Sequence, residues 1–173
     1  AGRCRAGGRA GWSPGLADAV GSVPVASFTV SKVRWLARVE PENAARTARL
    51  MLPHDYLTWL LAGRPEVAVT DRGDASGTGY WSPQSGTYRD DLLQLAMGRV
   101  PATPRVAAPG EAIGETADGI ALGPGTGDNM AAALGIGAVP GDVVVSLGTS
   151  GTAFAVADAP TADGSGLVAG FAD

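Results

Sequence analysis

Two short stretches in the last third of the sequence hold residue types that can do chemistry. Gly125-Thr126-Gly127-Asp128-Asn129 sets one carboxylate directly after a glycine-rich run. About twenty residues later, Gly148-Thr149-Ser150-Gly151 sets two hydroxyls between glycines. A carboxylate beside a cleft can take a proton from a substrate hydroxyl as it becomes a nucleophile. Glycines around hydroxyls let successive backbone N–H groups point into one concavity, which suits a phosphate. Each stretch also has a plain structural reading. Asp128 stands where a helix N-cap is expected, ahead of Met130, Ala131, Ala132, Ala133 and Leu134. Gly-Thr-Ser-Gly also serves as an ordinary hairpin loop.

The elements that must position these residues read as follows. Residues 142–147 and 152–156 are β-branched or apolar runs around the short turn and predict a hairpin. The helix after Asp128 contains Gly135 and Gly137, so it packs tightly or not at all. Residues 119–122 predict a short strand leading to Asp128. Further upstream, Thr29 or Ser31 can cap a helix whose Val33, Leu36 and Ala37 share one face. Pro41 restarts the chain for a short helix over residues 43–50. Pro53 opens another, with Tyr56, Leu57, Leu60 and Leu61 as its apolar face and Gly63 as its stop. In this reading Trp35 is a core anchor and His54 an exposed first-turn residue.

Asp71 and Asp74, in Thr70-Asp71-Arg72-Gly73-Asp74-Ala75-Ser76-Gly77-Thr78, can be read as paired carboxylates for acid–base work or for a metal, or as a polar turn that caps its own backbone. The second is preferred. Tyr80 and Trp81 then form a short strand turned round by residues 82–86, and residues 90–97 form a helix with Leu92, Leu93 and Leu95 apolar. Residues 1–20 are Gly- and Arg-rich without periodicity and read as poorly ordered.

The Gly-Thr-Gly-Asp-Asn turn followed by Ser-Leu-Gly-Thr-Ser-Gly resembles the FGGY family of carbohydrate kinases, and within it the bacterial xylulokinases. Lys32 with Trp35, the run Leu52, Pro53, Asp55, Tyr56, and the Thr-Asp-x-x-Asp-Ala-Ser-Gly-Thr segment fit the same resemblance. It covers residues 21–173 and implies an α/β, ribonuclease H-like fold of the actin and hexokinase type. Residues 21–139 would close the N-terminal sugar-kinase domain, and residues 140–173 would open the C-terminal nucleotide-binding domain with a hairpin. The resemblance further implies Asp128 as general base, Asn129 as a sugar contact, and Gly148, Thr149, Ser150 and Gly151 as a phosphate-binding turn. ATP and Mg²⁺ are the implied cofactors and D-xylulose the implied substrate, with no protein metal ligand assigned. The first phosphate loop, an Asp-x-Gly-Thr hairpin, is expected ahead of Ala1, and the adenine site beyond Asp173. On that reading the chain is truncated at both ends and inactive by itself, and the resemblance leaves a homodimer open for the full-length protein.

Composition narrows the field. The chain has 173 residues with a net charge of −4, which gives no electrostatic footprint for nucleic acid or an anionic membrane. One cysteine, Cys4, rules out an internal disulfide, and one histidine with one cysteine gives no zinc set. With no leader or long apolar run in the sequence, a cytoplasmic location is expected. A serine hydrolase does not fit, because Gly-Thr-Ser-Gly is not Gly-x-Ser-x-Gly. No Walker-type Gly-x-x-x-x-Gly-Lys occurs either. Two alternatives stand: another FGGY kinase acting on gluconate, ribulose or glycerol, or a truncated, non-catalytic chain that only binds other chains.

Overall fold

The computed structural model describes residues 15–149 and 151–172. Residues 1–14, with Cys4, and Ser150 lie outside that set, as does Asp173. The poorly ordered stretch expected over residues 1–20 is corrected at its end. Leu16–Val20 is a helix, α1, with Leu16, Ala17 and Val20 buried. Gly21 closes it in the left-handed region at φ 75°, its N–H donating to the Ala17 carbonyl at 2.8 Å.

The core lies between α2 (Thr29–Val39) and α6 (Asp90–Met97). Val30 and Val33 meet Leu92, Leu93, Ala96 and Met97 there, joined by Leu16, Val20, Ala44 and Tyr80, with Leu36 and Ala37 against its edge. The i, i+3, i+4 spacing on both helices makes this seam. Neither Thr29 nor Ser31 caps α2. Thr29 is its first residue, Phe28 is the N-cap, and no side-chain cap bond forms. Trp35 is 53% exposed, so it anchors nothing in this core. Helix α3 spans Pro41–Arg46, ending four residues before the expected stop.

Helix α4 (Pro53–Leu61) begins at the expected proline, and Gly63 follows it at φ 77°. Its expected apolar face is not covered. Tyr56, Leu57 and Leu61 are exposed, and the buried residue of the helix is Asp55. Asp55, third in the helix, reaches back to accept the Leu52 N–H at 2.7 Å, which satisfies one of the donors that a helix start leaves free.

Strand β1 (Val69–Thr70) runs parallel to β4 (Arg105–Val106), with Val69 opposite Arg105 and Thr70 opposite Val106. Between them in sequence come α5 (Arg72–Ser76) and the antiparallel pair β2 (Trp81–Ser82) and β3 (Thr87–Tyr88). A second antiparallel pair, β5 (Gly114–Glu115) with β6 (Ala121–Leu122), carries the chain toward α7 (Asp128–Gly135). The final hairpin pairs β7 (Val143–Leu147) with β8 (Gly151–Ala155), Leu147 facing Gly151. No residue of α7 is buried, so the tight packing expected of its small side chains is not made among the described residues.

After the hairpin the chain returns to the front of the molecule. The Gly170 N–H donates to the Gly21 carbonyl at 3.0 Å and to Ser22 Oγ at 3.1 Å. Two residues on, the Ala172 N–H donates to Ser76 Oγ at 3.0 Å, which ties the end of the chain to α5.

Candidate functional site

The starts of α4, α5 and α7 meet at one place. Asp71 is the N-cap of α5, and its Oδ1 accepts the Asp74 N–H at 2.8 Å, so the expected self-capping turn is present and opens a helix. Capping uses only half of that carboxylate. Asp71 is 3% exposed, and its Oδ2 has no hydrogen-bond partner.

What faces it is His54. The ring is half-buried rather than exposed on the first turn as expected. Its Nδ1 lies 3.2 Å from Asp74 Oδ2, 3.3 Å from Asp55 Oδ1 and 3.6 Å from Asp71 Oδ2. The hydrogen bond to Asp55 raises the His54 pKa above its ordinary value against the opposing effect of burial, and the charges of Asp74 and Asp71 push the same way. Asp74 is also raised, first by burial and then by the neighbouring Asp71, while His54 pulls it down. From sequence a capping turn is preferred to a metal role for Asp71 and Asp74; the fold brings ligand atoms of His54, Asp71 and Asp74 within 4.8 Å of one another.

The other side of the ring rests on the glycine turn that leads to Asp128. A Cβ built on Gly125, at φ 86°, would stand 2.5 Å from His54 Nε2. From α5, a Cβ on Gly73 would stand 3.2 Å from the backbone nitrogen of Gly127 and 2.5 Å from Cε of Met130. Glycine at these positions therefore lets two helix starts close on the turn. Asp71, Arg72, Ala107, Pro109, Pro124 and Gly125 line a small cavity beside it.

Asp128 is not the N-cap. Gly127 holds that place in an extended conformation, and Asp128 is the first helical residue, exposed, with its Oδ1 accepting the Asn129 N–H at 2.8 Å. The shift of one residue takes the carboxylate off the N-cap position and leaves it exposed to solvent, bonded to the neighbouring Asn129 N–H. Its charge also reaches Asp74, adding to the rise of that carboxyl's pKa. Asn129 is half-buried next to it. Gly148, Thr149 and Gly151 stand exposed around the β7–β8 turn, while Ser150 lies outside the described residues.

His54 is the residue that sequence reasoning missed. The available signal was weak: a histidine followed by aspartate at a helix start, with Asp71 and Asp74 far along the chain.

The profile of the FGGY family of carbohydrate kinases, N-terminal domain, matches residues 11–147. The xylulose kinase of Streptomyces rubiginosus is 51% identical over 91% of this chain and 34% of its own length. That of Streptomyces coelicolor is 48% identical over 96% of this chain and 35% of its own. Among solved structures, the xylulose kinase from Bifidobacterium adolescentis superposes with a TM-score of 0.84 at 40% identity, covering 92% of this chain and 38% of that one. The chain thus spans about a third of the length of the relatives it matches. A glycerol kinase from Plasmodium falciparum, at 16% identity and TM-score 0.64, shares the fold.

Proposed function

Because the chain belongs to the FGGY family of carbohydrate kinases, and so has the ribonuclease H-like fold of those enzymes, we propose that it is part of an ATP-dependent kinase that phosphorylates D-xylulose to D-xylulose 5-phosphate. The observation that carries this is Asp128: an exposed carboxylate on a glycine turn that two helix starts hold in place, next to a half-buried Asn129.

Phosphoryl transfer asks the protein mainly for position and charge. Asp128 accepts the proton of the sugar's terminal hydroxyl. The hydroxyl oxygen bonds to the γ-phosphorus as the bond to the β-phosphate oxygen breaks, and ADP leaves. Asn129 orients the sugar through its amide. The donor chemistry of the β7–β8 turn, backbone N–H groups with hydroxyls, fits phosphate oxygens of ATP at Gly148, Thr149, Ser150 and Gly151. ATP supplies the phosphoryl group, and Mg²⁺ on its phosphates offsets their charge. In this reading residues 21–139 belong to the sugar-binding domain and residues 140–173 begin the nucleotide-binding one.

A coupled assay of ADP formation by the full-length protein tests the reading. The expected outcome is a higher kcat/KM for D-xylulose than for glycerol, gluconate or L-ribulose. A ranking with D-xylulose last would replace the substrate, and no sugar-dependent ADP at all would replace the reaction.

A further inference from the structure

We infer that His54, in its imidazolium form, is a positioning residue that clamps the turn carrying Asp128. This rests on the reading of Asp128 as the base. Three carboxylates, Asp55 from α4 and Asp71 and Asp74 from α5, converge on one atom, His54 Nδ1, at 3.2 to 3.6 Å. The far side of the same ring meets the backbone of Gly125. Beyond the ring, Asp128 adds its field to Asp74. The imidazolium thus sets a positive charge among three carboxylates, with Asp128 beyond Asp74, and its ring stands against Gly125 of the turn.

A bound divalent cation is the competing use of His54, Asp71 and Asp74. It would need the nitrogen and the carboxylates to aim at a common point about 2 Å from each. A protonated ring serves the same oxygens without an added ion: Nδ1–H donates to Asp55 Oδ1 at 3.3 Å, and its charge faces Asp74 and Asp71. The buried Oδ2 of Asp71, 3.6 Å from Nδ1 and without a hydrogen bond, is stabilised by that charge.

Loss of the proton removes that positive charge from between Asp55, Asp71 and Asp74, and leaves the repulsion between Asp74 and Asp128 less offset. Repulsion opens the gap between α5 and the turn, whose close approach Gly73 and Gly125 permit. A misplaced base costs turnover without any change in its own chemistry. The group is charged below its raised pKa, so the clamp is present below that value and released as pH rises through it.

The test uses the full-length protein and three variants, followed by kcat/KM across pH and by amide exchange of residues 125–129 without ligands. His54→Gln is expected to lower kcat/KM about tenfold on the acid side of the step, to speed exchange in the turn, and to erase the step in the profile. His54→Lys keeps a cation to a much higher pH, so it should recover most of the rate and move the step outward. Asp74→Asn removes one counter-charge and should shift the step to lower pH, an arm that holds even where His54→Gln folds poorly. Wild-type rates and exchange in His54→Gln overturn the inference. So does a His54→Lys protein as impaired as His54→Gln, which would make ring shape the cause. A rise in melting temperature with Mn²⁺ or Zn²⁺ alone, lost in His54→Gln, would assign the cluster to a metal instead. Asp128→Asn measured alongside separates the two readings: an active Asp128→Asn enzyme removes the base, while exchange in the turn still reports on the clamp.

Discussion

Asp128 stands at the first position of α7, where a negative charge gains from the helix dipole by about 0.3–1 kcal/mol. It also stands near Asp74, which its charge disfavours. The two effects oppose each other, so Asp128→Asn in the full-length protein should change stability by less than about 1 kcal/mol. Removing a general base that keeps its shape should lower kcat about 10²–10⁴-fold. Turnover and thermal unfolding measured on the same preparation check both statements, and a kcat above half that of the wild type would return Asp128 to a purely local role. Asp71 was legible as a cap from sequence because an N-cap bond spans only three residues. His54 was not, since its partners Asp71 and Asp74 arrive by way of β1 and the start of α5, and no local rule reports such a meeting.

At the scale of elements, legibility followed how much of an element's environment lies within its own sequence. Helix α6 starts and ends where its pattern predicts, with Gly98 closing it at φ 73°. The turn from β2 to β3 forms as Ser82-Pro83-Gln84-Ser85-Gly86 suggests, the Gly86 N–H meeting the Ser82 carbonyl at 2.8 Å. Helix α1 escaped notice because five residues hold too few turns for a periodic signal, and its burial depends on the distant β2 and α6. The apolar pattern of α4 is present, but among the described residues Tyr56, Leu57 and Leu61 are left exposed and Leu60 is half-buried. The β7–β8 hairpin forms as its β-branched runs imply, and the proposed phosphate site is its turn. If the backbone there holds phosphate, Gly148→Val places a side chain in the path of the oxygens. Losing one such charge-assisted bond should raise the KM for ATP about ten- to hundredfold in the full-length enzyme. The melting temperature should hold, because Val143, Val145 and Leu147 beside the turn are exposed and make no core. An unchanged KM for ATP would make the turn a connector.

Across the whole molecule the apolar surface is unevenly shared. The buried core draws on residues 16–107, whereas Leu134, Ile136, Val143, Val145, Leu147 and Leu167 all lie exposed beyond it, and Leu57 and Leu61 do so on α4. Leu147 is 86% exposed and Leu167 90%. Large apolar side chains exposed in such number mark candidate places for further protein contact. The relatives that match the chain are about three times its length. The 173-residue chain expressed by itself should therefore bind a hydrophobic dye, self-associate at micromolar concentration, and form no ADP with D-xylulose. The full-length protein should do the reverse on the first and third counts. Light scattering with dye fluorescence on both proteins distinguishes the cases. A dye-silent, monodisperse monomer of the short chain would show that these side chains need no cover, and would favour a self-sufficient binding module over a piece of a two-domain kinase.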